Sequence, residues 1–243
     1  MSNKKVSVKE IVDYVLLAIC FTSTLVFGII LKQDVIKLLP ALFSTIIFLM
    51  SAKAYRISYL FGAINSGLYS IGYFMMGLYG NFIVNLVLYI PIQIVTFAMW
   101  SKNKYKQSTV FRRLPFKYEI LLFVGVLIAW AVGCLVISSL PNANLPLVGF
   151  DSAGTVVGTI TAVMTMLALI ETVGYDCFLC LSGVIMWSIA VFSNPADLTY
   201  LISAIFTLYC AITRCLNWIK IYHEQQRNAK SEEKPLTIEQ DAV

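Results

Sequence analysis

The chain has 243 residues, of which 59% are hydrophobic and only 13% charged. A soluble domain of this size has too little interior to hide so much apolar surface, so the composition indicates a polytopic membrane protein. The net charge of +5 does not point to nucleic acid, because the basic residues fall in loops and tails, where they report orientation instead.

Eight spans fit the hydropathy, at approximately 11–31, 35–52, 57–76, 80–100, 119–140, 152–170, 177–193 and 198–219. Each is close to the ~20 residues that a bilayer core requires. The first follows a basic start, but it is too long for a signal-peptide core and has no small-x-small cleavage site, so it reads as a helix. Residues Gly77 to Gly80 join the third span to the fourth in a tight turn.

The fourth span, Asn81 to Trp100, says most about function. Asn81, Asn85, Tyr89, Gln93, Thr96 and Trp100 step by four, four, four, three and four. At 100° per residue they occupy an arc of roughly 120°. A membrane helix turns such a stripe away from lipid, since an unpaired amide in hydrocarbon costs several kcal/mol. Pro91 lies on the opposite side and frees the carbonyl of Val87. The helix therefore faces a polar, ligand-holding interior.

Orientation follows from lysine and arginine. Lys4, Lys5 and Lys9 precede span one, Lys53 and Arg56 separate spans two and three, a basic run from Lys102 to Lys117 separates four and five, and Lys220, Arg227, Lys230 and Lys234 follow span eight. The other side has Lys32 and Lys37 alone. Both termini are thus expected in the cytoplasm. The loop with Glu171 and Asp176 falls on the cytoplasmic side without a positive charge. Asp34, Asp151 and Asp197, at outer ends, are expected to cap helix N-termini. The polar tail from Gln225 to Val243 reads as disordered.

The chain repeats itself. Asp34 to Trp100 covers 66 positions and Asp151 to Trp218 covers 67, with Asn65-Ser66-Gly67 echoed by Leu181-Ser182-Gly183. An even number of crossings separates the starts of the two units, which makes them parallel repeats. The organisation is then an N-terminus and extra helix (1–33), a three-helix unit (34–100), a basic loop and linker helix (101–150), a second three-helix unit (151–219) and a tail (220–243). The fold class is an all-α membrane protein with a 3+1+3 parallel-repeat core and eight transmembrane helices.

The spacing N-x-x-x-Y-x-x-x-Q with a later tryptophan (Asn85, Tyr89, Gln93, Trp100), followed by a basic loop, resembles the PnuC family of vitamin transporters. The resemblance covers roughly residues 35–220. It implies a fold related to the SWEET sugar transporters, often trimeric, that moves nicotinamide riboside by facilitated diffusion, with cytosolic phosphorylation of the substrate maintaining direction. Relatives carry thiamine, riboflavin or deoxynucleosides. The chain departs from the family where a W-x-x-W pair and a nearby Asn are usual: Cys177, Phe178, Cys180 and Leu181 stand there, and Trp187 is the nearest tryptophan. Arg214 stands where a small residue is expected.

An aromatic ring on a ribose asks for stacking aromatics and for amides at the sugar hydroxyls. The candidate substrate-binding residues are Asn85, Tyr89, Gln93, Asn65, Tyr69, Trp187 and Tyr209, with Tyr73, Ser182, Tyr200 and Thr207 near them in sequence. Membrane Asn and Gln also serve as interhelical glue, worth about 0.6–2 kcal/mol, and the tyrosines also suit packing. Trp100 and Trp218, at cytoplasmic ends, are gate residues or part of an aromatic belt. Arg214 reaches the interface by snorkelling, one turn from Trp218, or is paired inside.

The six cysteines sit in or beside apolar segments, as small hydrophobic residues do, and Cys177-x-x-Cys180 has no companion metal ligands. Neither a cofactor nor a P-loop is indicated. No acid falls centrally in a span, which argues against proton coupling. A membrane enzyme would need a nucleophile, base and acid cluster that the sequence does not offer. A scaffold or receptor, with the stripe as helix glue, is the other alternative.

Overall fold

The computed structural model describes residues 8–33, 35–75, 85–139, 148–193, 195 and 198–232. Asn81, the Gly77–Gly80 turn, Asp34 and Asp197 lie outside these residues, as do the side chains of Tyr73 and Asp151.

Eight helical stretches occur among the described residues. They are α1 (Val8–Ile30), α2 (Val35–Ala52), α3 (Ile57–Met75), α4 (a π turn Asn85–Tyr89 running into Ile90–Lys102), α5 (Phe116–Ser138), α6 (Val148–Ser152, a π turn Ala153–Val157, then Gly158–Met166), α7 (Thr172–Ser193) and α8 (Leu198–Glu232). A short antiparallel hairpin, β1 (Lys104–Tyr105) and β2 (Ser108–Thr109), follows α4. Four helices are long and apolar enough to cross a membrane: α1, Phe116–Val136 of α5, Thr172–Phe192 of α7 and Leu198–Ala229 of α8. Helices α3, α4 and α6 carry the Asn, Gln, Ser and Thr residues that lower their hydropathy, and they build the interior.

Consecutive packing runs α2–α3–α4, then α4 on α6, α6–α7–α8, and α8 back on α2. Six helices thus close around a central space. Helix α1 lies outside, against α2 and α8, and α5 lies outside against α6. Their outward residues are apolar and exposed, as Ile29, Ile30, Leu121 and Leu135 show. That is the surface a lipid phase covers without cost.

The π turn in α4 comes just before Pro91, whose missing N–H breaks the regular ladder. Pro91 faces outward, while Thr96 and Trp100 are buried. Two corners at one end of the bundle close identically. After α2, the Ala54 N–H donates to Ser51 O (2.9 Å) and Tyr55 N–H to Met50 O (3.1 Å); after α6, Ala168 N–H donates to Thr165 O (3.0 Å) and Leu169 N–H to Met164 O (3.0 Å). Ala54 and Ala168 take φ of 58° and 56°, the left-handed residue that ends a helix in this motif.

Helices α1 and α5 each start three residues before the expected 11 and 119, and three helices differ more from the sequence reading. Helix α6 occupies 148–166 rather than 152–170, so Asp151 lies inside a helix and does not cap it. Helix α7 starts at Thr172, five residues before the predicted 177, because Asp176 is paired inside the bundle rather than hydrated at an interface. Helix α8 runs through Glu232, past the expected end at 219. Its polar extension docks on the hairpin: Gln225 Oε1 accepts from Phe111 N–H (3.0 Å), Gln225 Nε2 donates to Thr109 O (2.8 Å), and Lys106 meets Glu224 (3.1 Å). The stretch 225–232 read as disordered is therefore helix, held by these bonds.

Candidate binding cavity

Inside the helix ring lies a cavity of about 320 Å³, at the small end of the ~300–1,000 Å³ range typical of small-molecule sites. Its wall brings together Asn65 and Tyr69 of α3, Asn85, Tyr89 and Gln93 of α4, and Arg214 of α8. The four-residue steps of α4 put its amides and tyrosine on one face. Exposed Val87, Ile94 and Val95 cover the other.

The polar groups are organised in pairs across helices. Gln93 Nε2 donates to Ser66 Oγ at 2.8 Å. Asn65 Nδ2 donates to Ser44 Oγ at 2.9 Å, and that hydroxyl lies 3.3 Å from the Tyr69 hydroxyl. Asn65 Oδ1 is buried without a hydrogen-bond partner, an acceptor left over for something in the cavity, since a buried polar atom without a partner is costly. Gly62 gives Gln93 its room: a Cβ there would collide with the Gln93 amide.

An aromatic cluster seals the end of the cavity nearest the basic loop. Trp100 contacts Tyr59 (4.8 Å between ring centroids), Trp218 (5.3 Å) and Phe111 (5.7 Å), and Phe111 contacts Trp218 (4.9 Å). The two tryptophans are 1% and 0% exposed. Each also donates its indole N–H to a helix-end carbonyl across the bundle, Trp100 to Thr165 O (3.0 Å) and Trp218 to Ser51 O (3.3 Å). These carbonyls end α6 and α2, where each already accepts the corner N–H of Ala168 or Ala54, and the indole is a further donor to it. An aromatic belt at the water interface is not where these rings sit.

Two acids that lack a basic neighbour in sequence find one in space. Glu171 Oε1 accepts from the Leu114 N–H (3.0 Å) and faces Arg113 (3.9 Å). Asp176 binds Arg214 at 2.6 Å. Arg214 is thus buried at the cavity and paired to α7, and it does not snorkel outward. A further ion pair joins Asp13 of α1, 2% exposed, to Lys53 (3.5 Å).

Two candidates lie elsewhere. Trp187 stacks on Tyr200 at 4.6 Å and 20°, joining α7 to α8, and does not line the cavity. Tyr209 donates its hydroxyl to Asp13 at 2.7 Å, which ties α8 to α1, and it is not among the residues that line the cavity. Their aromatic rings fit the chemistry of a nucleoside, but their helix faces point to other partners. Thr207 bonds its own helix at Ser203 O (2.8 Å). Missed by the sequence reading were Ser44, Tyr59, Gly62 and Thr165, which line the cavity. Only Gly62 carries a sequence signal, a glycine opposite the amide stripe.

Comparison with known proteins agrees with this architecture. A nicotinamide riboside transporter PnuC from Neisseria mucosa is 27% identical over 177 residues, covering 68% of this chain and 64% of that protein. The crystal structure of a vitamin B3 transporter PnuC superposes with a TM-score of 0.69 at 22% identity, over 87% of this chain and 92% of that one. At that identity the likeness establishes a common fold. Residues 34–220 match the family described as nicotinamide mononucleotide transporter, and the chain is a multi-pass membrane protein belonging to that family.

Proposed function

We propose that the chain is a transporter that takes up nicotinamide riboside, or a related B-vitamin or nucleoside such as thiamine, riboflavin or a deoxynucleoside, by facilitated diffusion. The observation that carries this reading is the cavity inside the helix ring, where Asn85, Tyr89 and Gln93 face Asn65 and Tyr69. Amides meet ribose hydroxyls and tyrosines meet a heterocycle, and a wet pocket in hydrocarbon is costly unless something uses it. The PnuC name of the relative from Neisseria mucosa points the same way.

The chain works as two parallel three-helix units, α2–α4 and α6–α8, joined by α5, with α1 in addition. Support comes from the matching corners: Ser51 and Ala54 recur as Thr165 and Ala168, each 114 positions on. The crossed tryptophan bonds recur too, α4 reaching α6 and α8 reaching α2. Rocking of one unit against the other gives alternating access. In the described conformation the Trp100–Trp218–Tyr59–Phe111 cluster closes the end near the basic loop, which the distribution of Lys and Arg assigns to the cytoplasm of an inner-membrane protein. Assembly as a homotrimer follows the family resemblance.

Uptake of each labelled candidate into proteoliposomes tests the proposal. One of them is expected to accumulate to equilibrium and no further, with uptake lost in Gln93→Ala and Asn85→Ala proteins that keep their helical circular dichroism. Failure of all candidates, or full activity in both variants, overturns it.

A further inference from the structure

The cavity wall has an unexpected charge. Among its lining residues Arg214 is the one with a formal charge, and no carboxylate joins it there. The Arg214 side chain is 9% exposed and that of its partner Asp176 10%. Asp176 is not part of the wall, so the pair turns its positive end to the cavity and its negative end to α7. The guanidinium has donors to spare. One Nη is spent on Asp176 at 2.6 Å, its face lies 5.7 Å from the Trp218 ring, and its buried Nε has no acceptor. Arginine keeps its proton at any ordinary pH, and with Asp176 behind it the cavity faces the positive end of the ion pair, at short range in a weakly polar interior.

We infer that Arg214 sets the charge of the ligand: the cavity takes an uncharged nucleoside-like molecule that offers a carbonyl or hydroxyl to the guanidinium, and it disfavours a cationic ring. The inference rests on the transport reading above and narrows its substrate class. The tyrosines of the wall attract a cation through their ring faces, but no carboxylate neutralises one in the cavity while Arg214 opposes it. Asn65 Oδ1 complements this arrangement, being an unpartnered acceptor for a neutral N–H or O–H.

Calorimetry on the purified full chain with ligands that differ in charge tests it. Nicotinamide riboside and thiamine are cations; the dihydro form of nicotinamide riboside, riboflavin and thymidine are not. The tightest ligand is expected to be uncharged, and the dihydro form is expected to bind about tenfold more tightly than nicotinamide riboside itself, from which it differs in ring charge. A cation as the tightest ligand overturns this inference and leaves the transport reading standing. Binding of none of the five overturns both. In an Arg214→Gln, Asp176→Asn double variant, which removes both charges and keeps hydrogen-bonding groups, the affinity ratio is expected to move about tenfold toward the cation. An unchanged ratio in a monodisperse variant overturns the assignment to Arg214, and the unaltered protein decides the ligand's charge even where the variant does not fold.

Discussion

Helices α2–α4 and α6–α8, the two units of the proposed arrangement, have matching corners and differ in the faces they turn to the cavity. Their corners carry the same bonds and the same left-handed alanine, and each sends an indole to the other's helix end. Yet Asn85, Tyr89 and Gln93 of α4 line the cavity, whereas α8 lines it with Arg214 and α6 with Ala162 and Thr165. Backbone caps and buried indoles fix a helix corner whatever the face between them carries. The walls are therefore free to diverge, and most of the cavity's amides and tyrosines come from α3 and α4.

The largest test of the shared frame is removal of its indoles. Trp218→Ala deletes a fully buried side chain and the indole donor to Ser51 O, costing about 3–5 kcal/mol. Trp100→Ala is expected to cost the same. Thermal unfolding in detergent measures both, and a gap of more than ~2 kcal/mol between them breaks the equivalence. Asp176→Ala comes next, because it strands the buried Arg214 guanidinium, and a loss of about 3–5 kcal/mol is expected where a surface ion pair would give ~0–1. Gly62→Ala displaces the Gln93 amide and is expected to weaken ligand binding about tenfold, or ~1.4 kcal/mol, with little change in unfolding temperature. Equal binding would show that Gln93 acts as helix glue. The smallest effect sharpens the corner match: Ala54→Gly and Ala168→Gly each relieve a left-handed alanine and are expected to stabilise by about 0.5–1 kcal/mol.

Much of the frame was legible in the sequence. Helix α2 has the predicted bounds 35–52, and α3 starts at the predicted residue 57, because Lys53 and Arg56 mark the end of the apolar phase and the turn between them is short. The α4 stripe was readable from its period, since a 100° advance decides which residues share a face. Positions whose role depends on another helix were not readable. Arg214 looks like an interface arginine until Asp176 arrives from α7, and the bond of Tyr209 to Asp13 of α1 joins residues 196 apart in sequence. Hydropathy also ends where lipid ends. It says nothing of a helix that continues, and the bonds from Gln225 to Phe111 and Thr109 join segments more than a hundred residues apart.

The crossed indoles also constrain kinetics. Each tryptophan spans one seam between the units, and the two rings touch, so parting either seam tugs on the bond that holds the other. Release at this end is then concerted, with both latches failing in one step. If the chain carries solute as proposed, a half-open intermediate at this end has no stable place on such a path.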